Sequence, residues 1–435
     1  MADQFNFFQH WYPLMPVEDL DPNYPTPITL LEQSLVVWKP RYSDQYQVFV
    51  DACPHRLAPL SEGRVDEKTG NLMCSYHGWQ FDGEGNCTQI PQAENPDLIK
   101  GQSFCATSLP TQQANGLLWV WPDATSAEIA KEQPLPLSPQ IDPSQGVVWS
   151  SMVRELAYDW QTLIENVADP SHVPFAHHGI QGNRDRATPV PMKILQSDKN
   201  CIQAEVDRGV KSTITFTPPC HLEYEIEIGS NRKLGLITYC LPVSGGRSRI
   251  IAQFSRNFAK RAHYLIPRWW EHIQTRNFVL DGDMILLHEQ EKKLKQSVAE
   301  SWKTAYQLPT TADRMVIEFR RWLDRYSPQL PWGQINPVNS DLKRDRNLLL
   351  DRYHQHTVIC GSCRQALKNI HRLEGGLLTW SAIALVIATI LPASNGLGLR
   401  LFFGLTALLS LGGYVGLKSW LEPRFYFVDY VHADR

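Results

Sequence analysis

The chain of 435 residues carries no excess of positive charge. Its 42 Lys and Arg are set against 45 Asp and Glu, for a net charge of −3. No basic tract and no nucleic-acid-binding motif appears, so no nucleic-acid partner is expected. The composition, 43% hydrophobic and 20% charged, lacks the bias of a disordered chain. The N-terminus, Met1 to Phe8, lacks a basic segment followed by a long apolar run. A secretory signal is therefore not expected. A paired disulfide framework is also missing. The nine cysteines are odd in number and scattered, which points to reduced thiols and metal ligands. The length suggests roughly two to four domains and easily supports a large core.

Chemistry-bearing residues begin with Cys53-Pro-His55-Arg56. Eighteen residues separate His55 from the next group, Cys74-Ser-Tyr-His77-Gly-Trp. Short strands at 35–38 and 46–50 precede them, and turn residues lie between them at 62–64 and 68–71. Two Cys and two His can make a structural zinc site. Cys-x-His followed by Cys-x-x-His-Gly-Trp is instead the pairing expected of a Rieske [2Fe–2S] cluster. There the thiolates hold one iron and the imidazoles the other. Gly78 suits a backbone pressed close to such a cluster. Cys87 and Cys105 fall outside the pattern and read as buried small hydrophobes.

Residues 165–177, Glu-Asn-Val-Ala-Asp-Pro-Ser-His-Val-Pro-Phe-Ala-His, form a second concentration. His172 and His177, with one distant carboxylate, can form a three-ligand face on iron(II) with open positions for O2 and substrate. On a continuous helix, residues five apart point about 140° away from each other. The expectation is that Pro174 breaks the helix between them. Asp169, three residues before His172, can accept the N–H of a metal-bound imidazole, or simply cap a helix. His178 is a rival to His177.

With these two motifs in this order, the chain resembles the α subunit of a Rieske non-haem iron oxygenase. The carriers are Cys53, His55, Cys74 and His77, then Asn166, Asp169, His172 and His177. The resemblance implies an α+β chain with an all-β Rieske [2Fe-2S] domain over 1–125. A helix-grip catalytic domain, an antiparallel sheet with helices, follows over 126–350. The stretch 111–122 would close the small domain, and the boundary would fall in the Pro/Ser-rich 123–145. Strands at about 201–206, 212–217, 222–228, 234–239 and 249–254, with helices near 154–168 and 261–297, fit that plan. The family places its third iron ligand, an Asp, seven residues before a Gln. Asp283 with Gln290 meets that spacing, and Asp281 does not. Asp283 is therefore the expected ligand, the alternative being that Asp281-Gly-Asp283 is simply a capped helix start. The resemblance further implies catalytic roles for Asp169 and Asn166. It implies electron transfer through Asp169 from a neighbouring subunit's cluster, hence a homotrimer, and a ferredoxin-type donor.

The C-terminal part adds His354, His356, Cys360 and Cys363 at 351–372. The Cys-x-x-Cys is a redox-thiol or metal candidate, with His354 and His356 near enough to complete a Cys2His2 set. No βαβ frame surrounds it. Gly375–Leu399 then runs for 25 residues without a charged side chain, and 401–417 is again apolar. Each is long enough to span a bilayer, with a turn at Asn395-Gly396 and interface residues Trp380 and Trp420. Residues 373–435 thus read as a two-helix transmembrane anchor, with a buried soluble hairpin as the alternative. Lys368, Arg372, Lys418 and Arg424 put the catalytic domain on the cytoplasmic or stromal side.

A Rieske oxygenase with this tail resembles the pheophorbide a oxygenase group. That group includes the lethal-leaf-spot proteins and the Rieske subunits of the chloroplast inner-envelope translocon. The resemblance implies a [2Fe-2S] cluster, a mononuclear Fe(II), O2 and a chlorophyll-derived substrate such as pheophorbide a or a chlorophyllide. It suits a thylakoid or plasma membrane of a cyanobacterium, or a mature plastid protein. A membrane-anchored redox sensor acting on a partner complex is the alternative.

Overall fold

A computed structural model describes residues 4–95, 101–207, 210–229, 231–296, 301–327, 345–392 and 397–435. The N-terminal part holds three small antiparallel sheets. One joins Tyr12–Pro16, Leu117–Val120 and Thr111–Ala114. The stretch expected to close the small domain as one strand is therefore a hairpin. Asn115 and Gly116 both have positive φ, at 52° and 74°. An Asn-Gly pair in that conformation makes the two-residue turn whose twist matches its strands. A second sheet contains Gln33–Trp38 and Gln47–Val50. The third is built from four short strands, Arg64–Val65 to Cys87–Gln89.

The catalytic region is a seven-stranded antiparallel sheet. Its order is Val148–Leu156, Arg247–Arg256, Arg232–Ser244, His221–Ile228, Lys211–Thr217, Ile202–Asp207, Met192–Ser197. The helix expected at 154–168 begins only at Trp160. Arg154 to Leu156 instead complete the edge strand, paired with Ile250 to Ser248. Asp159 then caps the helix by accepting the Gln161 N–H at 3.1 Å.

Side chains two apart on a strand share a face. Leu236 and Thr238, and Ile250, Ala252 and Phe254, face the long helix Asn277–Gln296 across a cavity. The opposite face meets the N-terminal sheets. Trp119 packs edge-on against Tyr239 with ring centroids 5.4 Å apart. Gln253 Nε2 donates to the Asn115 carbonyl at 2.9 Å. Burying each large apolar side chain here contributes about 1.5–3 kcal/mol.

Two long apolar helices, Gly361–Ile390 and Leu397–Gly416, lie near the C-terminus, and the segment after them returns to the catalytic region, where Tyr430 Oη donates to the Ala176 carbonyl at 2.8 Å. Both helices are long and apolar enough to cross a membrane by length and composition. The first starts fourteen residues before the expected span and stops at Ile390. The Cys-x-x-Cys therefore forms its first turn. The expected Asn395-Gly396 turn lies outside the described residues. Leu378, Leu385, Val386, Leu401, Leu405 and Leu408 are all exposed.

Candidate active site

The two Cys/His loops are near copies of each other. Leu57 N donates to Cys53 O at 2.8 Å, and Gly78 N to Cys74 O at 3.0 Å. Cys53 N donates to Ala58 O, and Cys74 N to Trp79 O. The residue four after each cysteine has positive φ, 59° at Leu57 and 73° at Gly78. Only the second is the glycine that this conformation favours. Ser61 N and Oγ bind the Asp51 carboxylate at 2.7 and 2.6 Å and hold the first loop. Ser75 Oγ donates to Glu62 O at 2.7 Å and ties the second loop to it. Cys53 and Cys74 are buried, while His55 is exposed and its ring lies 4.5 Å from that of His77. Burial pushes the Cys53 thiol up to about 12. A thiolate there needs a cation beside it, which suits an iron–sulfur cluster. Cys87 is buried but Cys105 is only half-buried.

His172, His177 and Asp283 come together, with one donor atom of each within 4.8 Å of the others. The two Nε2 atoms are 3.2 Å apart. Asp283 Oδ2 is 3.4 Å from His177 Nε2, and Oδ1 is 3.9 Å from His172 Nε2. His172 Nδ1 contacts the backbone carbonyl of Asp169. That contact places the ring proton on Nδ1 and leaves a lone pair on Nε2. Two imidazoles and a carboxylate facing one point fit a divalent iron.

Three expectations are corrected here. The Asp169 carboxylate lies 4.0 Å from His172 Nδ1, and its carbonyl takes the imidazole contact instead. The carboxylate binds Ser171 N at 2.7 Å. Pro174 does not break the helix. The helix Trp160–Ala168 ends before Pro170, and Pro174 sits in the first turn of the short helix Val173–Ala176. Proline is well suited to that position. The histidines meet because they flank a single turn, with His177 already outside helical geometry at φ −114° and ψ 31°. Nor is Asp281-Gly-Asp283 a helix start, since it lies within Asn277–Gln296. His178 points elsewhere and accepts from Arg184 N at 3.0 Å.

The triad stands between two cavities. One, of about 280 Å³, is apolar and lies between sheet and helix. The other, of about 870 Å³, is more polar and includes Glu165, Gln290 and Tyr306. Asn166, Asp169, His172 and Asp283 line both. Among the described residues, none before Met152 lines either one.

The sequence matches the model of the Rieske [2Fe-2S] domain over residues 10–111 and that of pheophorbide a oxygenase over 216–301. Pheophorbide a oxygenase of Oryza sativa subsp. japonica is 39% identical over 99% of this chain and 86% of its own. The chain belongs to the pheophorbide a oxygenase family of Rieske non-haem iron oxygenases. Its cofactors are a Rieske [2Fe-2S] cluster and a mononuclear iron. Flavonoid 8-hydroxylase 2 of Ocimum basilicum is a further relative of this oxygenase, 34% identical over 99% of the chain and 86% of its own. The solved dicamba monooxygenase bound to dicamba has the same fold. Its TM-score is 0.62 at 19% identity, over 74% of this chain and 98% of that one.

A remote set of groups was only partly foreseen. Cys360 and Cys363 are buried with His356, but the fourth member is His272, not His354. His354 is exposed and pairs with Asp351 at 2.6 Å. His272 lies in a π-helical turn, His272–Arg276, 84 residues from His356. Nothing in local spacing signals it.

Proposed function

We propose that this oxygenase inserts oxygen from O2 into a chlorophyll-derived tetrapyrrole of the pheophorbide a or chlorophyllide a type. The observation that carries this reading is the apolar pocket whose wall contains His172, His177 and Asp283. These three would hold the mononuclear iron, and Cys53, His55, Cys74 and His77 the cluster. When bound, the iron supplies the site at which O2 is reduced, and the cluster supplies single electrons.

The chain's own residues do the rest. Leu236, Ile250 and Phe254 offer an apolar wall for the edge of a flat ring. Arg276 lies on the same lining, with its guanidinium 3.4 Å from the Phe254 ring centroid. Burial lowers Arg276 to about 10, so it remains cationic at neutral pH and can pair with a substrate carboxylate. Asn166 stands beside Asp169 at the junction of the two cavities.

Asp169 keeps its side chain about a quarter exposed. No described residue before Met152 lines either cavity, which favours delivery of electrons to the triad from a neighbouring subunit's cluster in a homotrimer, with a ferredoxin-type donor. The two apolar helices anchor the protein in a membrane. Lys368, Arg372, Lys418 and Arg424 at their root support a catalytic domain on the cytoplasmic or stromal side.

The test is anaerobic binding of pheophorbide a, chlorophyllide a or a flavone, then a pulse of labelled O2 and mass spectrometry. Label in a tetrapyrrole product supports the reading. Label in the flavone alone overturns the substrate class. No labelled product from fully iron-loaded protein favours the redox sensor.

A further inference from the structure

His272, His356, Cys360 and Cys363 are all buried, and one donor atom from each lies within 4.8 Å of the rest. Their separations are informative. Cys360 Sγ and Cys363 Sγ are each 3.6 Å from His272 Nδ1. Cys363 Sγ is 3.3 Å from His356 Nε2, and the two ring nitrogens are 3.1 Å apart. A tetrahedral zinc has bonds of about 2.3 Å to sulfur and about 2.0–2.1 Å to nitrogen. Those bonds require S–N separations of about 3.5 Å and an N–N separation of about 3.3 Å. Those four separations already lie close to these values.

The surroundings agree. His356 Nδ1 lies 2.6 Å from the Val153 carbonyl, which fixes the proton there and leaves Nε2 free to coordinate. Arg268 Nη2 lies 3.4 Å from Cys360 Sγ and also contacts Asp19, whose Oδ1 accepts the Gly361 N–H at 2.7 Å. This brings a positive charge to one sulfur and fixes the backbone that carries it. A thiol pair built for exchange needs access to a partner thiol, whereas both sulfurs here are fully enclosed.

We propose that these residues bind one structural zinc ion, distinct from the cluster and the catalytic iron. Two thiols lose their protons on binding, and no electron is transferred. With four protein ligands the site is closed to substrate, as structural zinc sites are. The ion ties three segments together: the helical run that leads to Asp283, the turn Tyr353–Thr357, and the first turn of the apolar helix Gly361–Ile390. It thereby fixes the root of that helix to the catalytic domain.

The test uses the full chain, purified in detergent from zinc-supplemented cells. Elemental analysis should give close to one zinc per chain in addition to iron. Absorption at the zinc edge should show two sulfur and two nitrogen neighbours. Cys363→Ser and His356→Gln should lose the zinc, while His354→Gln retains it. Should both ligand variants fail to fold, the wild-type edge spectrum decides alone. Zinc well below one per chain overturns the proposal, as do zinc without sulfur neighbours and a Cys360–Cys363 disulfide in mass spectra of the native protein.

Discussion

Asp281 and Asp283 lie two residues apart on one helix and serve opposite partners. Two residues turn a helix by about 200°. Asp281 Oδ1 accepts from Arg154 Nη2 at 2.6 Å and its Oδ2 from Arg352 Nε at 2.7 Å, all fully buried. Asp283 faces His177 and His172. One carboxylate joins the helix to the edge strand and the C-terminal segment. The other is offered to a metal.

Replacing each should therefore give a different failure. Asp283→Ala should lower the iron content from about three to about two per chain and abolish O2-dependent product, with the cluster's absorbance kept. His172→Ala should behave the same way. Asp281→Ala should leave two buried guanidinium groups without a carboxylate partner, at a cost of about 3–5 kcal/mol. Thermal melts should show that loss. An Asp281→Ala variant as stable as wild type would contradict this account.

Gly282, between them, is the second test. Alanine normally stabilises a helix by about 1 kcal/mol over glycine. Here an added Cβ would lie 2.9 Å from the Ala176 carbonyl oxygen and 3.2 Å from His177 Nδ1. The backbone oxygen cannot yield without moving His177. Gly282→Ala should therefore reduce iron occupancy and turnover despite the better helix former, as measured by metal analysis and product formation.

Arg276 makes a specificity prediction. If its cation pairs with a substrate carboxylate, Arg276→Met should raise KM for pheophorbide a by about tenfold or more, the scale of one lost charged hydrogen bond. KM for the methyl ester should change little. Equal effects on acid and ester would remove Arg276 from substrate recognition.

His10 should contribute to acid lability. It stacks on Phe5 with ring centroids 4.3 Å apart, and burial lowers it to about 4 from 6.5. The unfolded chain then binds a proton that the folded chain does not, between pH 6.5 and 4. Stability is kept above pH 6.5 and lost as pH falls toward 4. His10→Phe should make the melting temperature fall less steeply over that window than in wild type.

Much of the site was legible because its parts are local. The cluster loops rest on two short spacings, and their backbone hydrogen bonds run only four or five residues along the chain. The strand alternation at 222–228 was equally visible, with Leu222 and Tyr224 buried. Errors came where an expectation used helix geometry across a boundary. Residues 154–156 are apolar and charged in a pattern that suits a helix or a strand, and pairing with Arg247–Arg256 made them a strand. Pro174 was credited with a break that lies at Pro170.

The sequence by itself determined the chemistry available: two Cys/His loops, two histidines flanking one turn, a Cys-x-x-Cys and two long apolar runs. Chain connectivity keeps such groups near one another whatever the rest does. Only the tertiary structure decided which distant side chain completes each set. Asp283, not Asp281, faces the histidines because helix rotation and the buried Arg154 and Arg352 fix the helix's orientation. His272, not His354, joins Cys360 and Cys363 because a π-helical turn packs beside the root of the apolar helix. Those choices depend on how a sheet, a helix and a hairpin pack together, and no local spacing records that packing.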